Sequence, residues 1–275
     1  MKFLSYTHIL GIALMSTIFM SCSSDDEQDG PIEEPATNDL ILINSGYTDS
    51  GSMLVNVYSN DSLFAQYTKI FVEVKDSASN NILTNAAVSI KPMMDMGMME
   101  HTAPRENPTS NTAVDGMFEG AVVFTMPGET GWRLEITVYD IANDFEETAF
   151  IPVSVRQPAE TRTRVITPLD DSDALVISYV LPQNPKVGVN DFEITIHEAL
   201  KDHTYGPVEN YSVEIEPEMP SMGHGSPNNV HPSSVGNGHY TGKVNFTMTG
   251  LWRIHLDIYD GSTAKDTTSY FDITF

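Results

Sequence analysis

Cysteine is nearly missing from this sequence, whose 275 residues include a single one, Cys22. An internal disulfide is therefore impossible, and stability has to come from hydrophobic cores of sufficient size. Because that one thiol lies close to the N-terminus, the rest of the chain has no cysteine nucleophile. These facts exclude disulfide-stapled scaffolds and thiol enzymes.

Basic residues are scarce as well. The chain has 14 Lys and Arg against 38 Asp and Glu, which gives a formal net charge of −24 at pH 7. A protein this acidic repels nucleic acid and anionic lipid headgroups. We therefore expect no nucleic-acid partner, whereas cations are compatible ligands.

Long hydrophobic runs are limited to one apolar stretch from about Ile9 to Met20, which is too short for a permanent transmembrane helix. The stretch follows Lys2 and ends in FMSC at residues 19–22, a pattern typical of a lipoprotein signal. We predict a signal peptide over residues 1–21 and lipidation of Cys22, which becomes the mature N-terminus. An ordinary signal peptide is the alternative.

Residues 22–39 are rich in acids and prolines and contain almost no apolar side chains, so we predict a flexible tether. An acidic run directly behind a lipid-bearing cysteine resembles the surface-export signal of lipoproteins from the Bacteroides–Flavobacterium group. The resemblance implies a bacterial envelope protein that is lipid-anchored to the outer membrane. Both the cell surface and the periplasmic face remain open.

Enzyme signatures are also lacking. The sequence contains no G-x-S-x-G elbow, no H-E-x-x-H zinc motif, no P-loop and no Rossmann glycine pattern. We therefore predict that the protein is not an enzyme and has no catalytic residues.

The strongest positive feature is an internal repeat. Three blocks recur in the same order with small differences in spacing, and each copy spans about 110 residues, a normal domain size. The matched blocks are VSIKP at 88–92 with VEIEP at 213–217, GMFEGAVVFTM at 116–126 with GHYTGKVNFTM at 238–248, and GWRLEITVYD at 131–140 with LWRIHLDIYD at 251–260.

Within each copy, apolar and polar residues alternate with period two, as in a strand that buries one face. Trp132 and Trp252 each begin such a strand and are predicted to be core aromatics. No segment after the signal has a helical period. We predict an all-β protein with two tandem immunoglobulin-like antiparallel β-sandwich domains at residues 40–155 and 174–275, joined by a linker at 156–173.

These blocks carry a family resemblance. The second copy contains P-x-M-P-S-M-G-H, a Gly-aromatic-x-Gly strand that ends in F-T-M, and G-x-W-R-I followed by Y-D. In this order they resemble the YtkA-like domain family from about Val187 to Phe275, and the first copy is a more divergent version. The resemblance implies a small immunoglobulin-like sandwich that is exported or lipid-anchored. It also implies kinship with domains found near copper handling and oxidase assembly.

Two loop-like runs rich in methionine stand out. Residues 96–104 read MGMMEHTAP and residues 219–227 read MPSMGHGSP, and without a gap they share M-x-x-M-x-H-x-x-P. Thioether sulfur is a soft donor that suits Cu(I), and two sulfurs with one imidazole make a three-coordinate Cu(I) site. We predict Cu(I) as the cofactor, and a copper donor or acceptor protein as a partner. The predicted ligands are Met96, Met99 and His101 in the first domain and Met219, Met222 and His224 in the second.

A competing interpretation makes the tandem domains a spacer, adhesion or ligand-recognition module in which these methionines only fill gaps in the packing. Near the runs, Met126 and Met248 end matching strands and are predicted to pack in the core. Met117 and His239 align between the copies, and both a position near these loops and a half-exposed strand position fit them. His231 is an additional imidazole in the second copy only.

Overall fold

The computed structural model describes residues 40–202 and 204–275, in which every regular element is a β-strand and no helix occurs. The predicted all-β class is confirmed. The predicted signal peptide, the lipidation site Cys22, the acidic tether and His203 lie outside the described residues. Among the described residues, no helix is long and apolar enough to cross a bilayer.

The first domain consists of nine strands in two antiparallel sheets. One sheet has the order β1-β2-β3-β7-β6 and the other has the order β5-β4-β8-β9. The strands are β1 (Ile41–Tyr47), β2 (Met53–Ser59), β3 (Tyr67–Asp76), β4 (Ala86–Asp95), β5 (Glu100–Thr102), β6 (Arg105–Glu106), β7 (Phe118–Val123), β8 (Trp132–Asp140) and β9 (Phe145–Pro152).

The second domain repeats this plan with eleven strands. They are β10 (Thr163–Ile166), β11 (Leu175–Leu181), β12 (Gly188–Ala199), β13 (Tyr205–Pro207), β14 (Ser212–Met219), β15 (His224–Gly225), β16 (Val230–Gly236), β17 (His239–Phe246), β18 (Leu251–Asp260), β19 (Thr263–Asp266) and β20 (Tyr270–Thr274). One sheet has the order β10-β11-β12-β17-β16 with β13 on β12, and the other has the order β15-β14-β18-β19 with β20 on β18.

Each domain has its own hydrophobic core between its two sheets. The period-two pattern behaves as predicted in the central strands β8 and β18, whose buried residues alternate with partly exposed ones. Trp132 and Trp252 are fully buried, as expected. Each indole N–H donates a hydrogen bond to a backbone carbonyl, that of Met126 at 3.1 Å and that of Met248 at 2.9 Å.

The predicted linker is partly a strand. Residues 163–166 form β10, which pairs antiparallel with β11 at the edge of a second-domain sheet. The end of the predicted linker also contacts the second domain. The carboxylate of Asp170 lies 2.7 Å from Nζ of Lys265, and the N–H of Leu169 donates to the backbone carbonyl of Lys265 at 2.8 Å. The segment after about residue 163 therefore belongs to the second domain.

A histidine connects the two domains. His239 on β17 places Nε2 2.8 Å from Glu106 of the first domain and Nδ1 2.5 Å from Glu193 on β12. Ionised carboxylates only accept hydrogen bonds, so both ring nitrogens carry protons and His239 is an imidazolium. Tyr67 of the first domain packs edge-on against this ring at 5.5 Å, and its hydroxyl donates to Glu106 at 3.4 Å.

Candidate metal centre

The second Met/His run is a β-hairpin. Met219 at the end of β14 lies directly opposite His224 at the start of β15. The turn is closed by the N–H groups of Met222 and Gly223, which donate to the carbonyl of Met219 at 3.0 and 2.9 Å. Gly223 has a φ of +62°, a conformation that favours glycine. Directly paired residues share one face of a hairpin with their Cβ atoms about 5 Å apart, so Met219 and His224 are neighbours.

His224 is oriented by a backbone hydrogen bond. Its Nδ1 lies 2.9 Å from the carbonyl oxygen of Gly225, and its ring packs edge-on against Trp252 with 5.9 Å between the ring centroids. A carbonyl can only accept, so Nδ1 carries the hydrogen and the neutral ring keeps its lone pair on Nε2. This is the usual arrangement of a metal-binding histidine, whose other nitrogen donates to a carbonyl or carboxylate.

Exposure divides the methionines of the two runs into two classes. Met219 is 3% exposed and belongs to the core of the second domain, whereas Met222 is 60% exposed. In the first domain Met96, Met98 and Met99 are 53%, 98% and 63% exposed. Gap filling therefore explains Met219 but does not explain the methionines of the turns.

The first Met/His run forms the equivalent hairpin in a different register from the ungapped comparison. His101 on β5 lies opposite Met94 on β4, and Met96 belongs to the turn, where its N–H donates to the carbonyl of Met99 at 2.9 Å. Six residues (95–100) separate this Met–His pair, against four (220–223) in the second domain. The predicted correspondence of Met96 with Met219 is therefore wrong, because the first hairpin has one more strand pair, Asp95 with Glu100, between its Met–His pair and its turn.

The comparison of the two methionine runs did not identify Met94 as the residue that pairs with the histidine, although another part of the sequence indicates it. Aligning VSIKP at 88–92 with VEIEP at 213–217 places Met94 on Met219, since each lies two residues after the proline that ends its block. The ungapped match of the two methionine runs hid this relation. Methionine occurs so often between residues 93 and 99 that a shift of two positions still aligns one methionine with another.

Four further residues near the two runs, predicted either to pack in the core or to lie close to the loops, take different positions in the structure. Met126 packs against the core of the first domain as predicted, but Met248 is 38% exposed, so its predicted core position is wrong. His239 lies at the domain contact and bonds to two carboxylates. His231 accepts the backbone N–H of Ile215 at its Nδ1 over 3.0 Å, which leaves the proton of the neutral ring on Nε2.

A surface concavity of about 700 Å³ adjoins the second hairpin. His224, His231 and His255 line it together with Glu216 and Glu218, and His255 Nε2 is 2.9 Å from Glu218. Over residues 40–202 and 204–275, no three His, Cys, Asp or Glu side chains are grouped closely enough to hold a metal ion.

Comparison with known families finds a match in the second domain. Residues 170–257 match the model of the YtkA-like family. The matched segment includes the second hairpin, and it confirms the resemblance predicted from the sequence for that part of the chain. No curated protein matches the chain. Among solved structures, domains 5–6 of the S-layer protein SbsC align over 78% of this chain and 91% of their own, with 14% identity and a TM-score of 0.30.

Proposed function

We propose that this protein is a lipid-anchored envelope protein that binds Cu(I) at its two Met/His hairpins, for buffering or delivery of the metal. One observation carries the proposal. In each hairpin a methionine lies directly opposite a histidine, and the turn between them exposes further thioethers. The ligands predicted from the sequence are Met219, Met222 and His224, and Met96, Met99 and His101 in the first domain.

The donor types favour Cu(I) over other metals. Thioethers are neutral, soft ligands that bind Ca²⁺ and Mg²⁺ poorly, and Zn²⁺ prefers thiolate, imidazole and carboxylate. Thiolates bind Cu(I) more tightly but oxidise outside the cytoplasm, where a thioether is the more durable donor. The YtkA-like match supports an exported protein, because the family resemblance implies export and kinship with domains near copper handling.

The hydrogen bond of His224 adds support, because it holds the proton of the neutral ring on Nδ1 and leaves Nε2 as the metal-binding nitrogen. The competing spacer or adhesion function requires that the methionines only pack. Four turn methionines, Met96, Met98, Met99 and Met222, are more than half exposed and fill no gap.

Competition with a colorimetric Cu(I) chelator tests the proposal. The double variant Met219→Leu with Met222→Leu removes both sulfurs of the second hairpin, and its volume-conserving changes typically cost less than about 1.5 kcal/mol. We expect the bound Cu(I) to fall from two ions per chain to one. Met53→Leu is the matched control, because Met53 is a core methionine outside both hairpins. A folded double variant that competes as well as the parent would make the methionines packing residues and leave the spacer function.

A further inference from the structure

We propose that Met94, rather than Met96, is the first-domain thioether that binds Cu(I) together with His101, beside Trp132. The inference rests on the Cu(I) function proposed above and adds a ligand that the sequence comparison did not identify. It also assigns Met96, Met98 and Met99 to an outer group of donors on the turn.

Strand register is the first argument. Met94 pairs with Trp132 on one side, through β4 and β8, and with His101 on the other, through β4 and β5. In the second domain Met219 is one residue beyond the Glu218–Arg253 pair of β14 and β18, which aligns it with Trp252, and it pairs with His224 on β15. Both domains thus place a methionine between a histidine and a tryptophan on adjacent strands.

Packing of the methionine ε-methyl groups is an independent second argument. A Cβ added to Gly128 would lie 2.9 Å from the Met94 ε-methyl and 3.0 Å from Cδ1 of Trp132. A Cβ added to Gly250 would lie 3.3 Å from the Met219 ε-methyl. These two glycines precede the paired tryptophans at the same end of each sandwich. Met94 and Met219 therefore occupy the same niche, which Met96, 53% exposed on the turn, does not.

The surroundings of the two tryptophans agree. Each indole donates its N–H to a carbonyl of the preceding loop, and each packs against a buried phenylalanine, Phe124 at 5.2 Å in one domain and Phe246 at 5.5 Å in the other. The orientation of each indole ring is therefore fixed by the core. A cation held by the neighbouring Met and His would lie close to a rigid indole, whose π face attracts positive charge.

The arrangement separates two tasks. Met94 and Met219 are held by packing, so little conformational freedom is lost when they bind a metal. The exposed turn thioethers can take up Cu(I) from a partner and supply the third donor. The first turn offers three of them and the second offers one, Met222, so the first domain has the larger choice of outer donors.

Leucine substitutions in the first hairpin test the assignment. The background is Met219→Leu with Met222→Leu, so that only the first site is measured by competition with a Cu(I) chelator. We expect Met94→Leu to weaken binding at least tenfold, and Met96→Leu, the matched control two residues away, to weaken it less than threefold because Met98 and Met99 remain. Loss in Met96→Leu with retention in Met94→Leu would overturn the inference and keep the proposed function. A parent chain that binds no Cu(I) would overturn both.

Because Met94 also packs against the core, a second measurement avoids substitution. In the unsubstituted protein with 13C-labelled methionine methyl groups, Ag(I) serves as a diamagnetic probe for the Cu(I) sites. We expect the Met94 and Met219 ε-methyl resonances to shift with the first two equivalents of Ag(I). Shifts confined to the turn methionines would overturn the assignment of Met94.

Discussion

Removing the charge from His239 should weaken the contact between the two domains, and the effect should depend on pH. The imidazolium is 2.8 Å from Glu106 of one domain and 2.5 Å from Glu193 of the other. Burial disfavours the charged ring, but the hydrogen bonds and charges of the two carboxylates outweigh it and raise the pKa of His239 from 6.5 to about 9. The variant His239→Gln carries no titratable group.

The magnitude follows from linkage. A histidine whose pKa is higher in the folded state stabilises it fully below the unfolded pKa, and the stabilisation disappears as pH rises through the folded pKa. A rise from 6.5 to about 9 corresponds to about 3 kcal/mol, present below pH 6.5 and lost above pH 9. His197 and Tyr67, which also lie close to His239, do not titrate in this window. Burial lowers the pKa of His197 to about 4 and raises the pKa of Tyr67 well above its ordinary value.

Urea unfolding of both proteins at pH 6 and pH 9.5 is the assay. Groups that titrate elsewhere cancel in the difference between parent and His239→Gln. We expect His239→Gln to be less stable by about 3 kcal/mol at pH 6 and the difference to shrink by a similar amount at pH 9.5. His255→Gln is the control, since that ring contacts one carboxylate, Glu218, at a more exposed position. A difference between the parent and His239→Gln that is equal at both pH values would refute the imidazolium assignment.

Two further predictions concern the chain around the hairpins. A fragment of residues 160–275 should fold alone with a β-rich circular dichroism spectrum. Its unfolding free energy should exceed that of the fragment 174–275 by about 1–3 kcal/mol, because only the longer fragment keeps β10 and its hydrogen bonds to β11. Equal stabilities would show that β10 is dispensable. Cys22→Ala should release the mature protein from the membrane fraction or leave the signal uncleaved; membrane retention with normal processing would contradict the lipid anchor.

The sequence predicted the strands well and the loops poorly, for physical reasons. A strand with one buried face repeats every two residues, so β8 and β18 are legible from their alternation alone. The prediction of a linker missed β10, because a four-residue edge strand contains too few alternations to be distinguished from an extended loop. Met248 was placed in the core from the strand before it, but β17 ends at Phe246 and the chain turns away.

The contact at His239 had no signal in the sequence at all. Its two carboxylate partners are 133 and 46 residues away, and only the docking of the two domains brings Glu106 to the ring. The alignment of His239 with Met117 left open a position close to the Met/His loops, whereas the structure places His239 at the contact between the two domains.

The hairpins combine a fixed element with a variable one. Between the two copies, the segment beyond the Met–His pair changes in length by one strand pair, Asp95 with Glu100. The number of exposed thioethers on the turn also changes, from Met222 alone to Met96, Met98 and Met99. The Met–His pair and the tryptophan behind it keep the same register. A packing role alone requires Met94 and Met219 but gives no reason for a histidine opposite each of them, nor for a hydrogen bond that leaves Nε2 of His224 unprotonated. A metal site would account for these features together, which is why we propose Cu(I) binding at this pair and exchange of the metal at the turn.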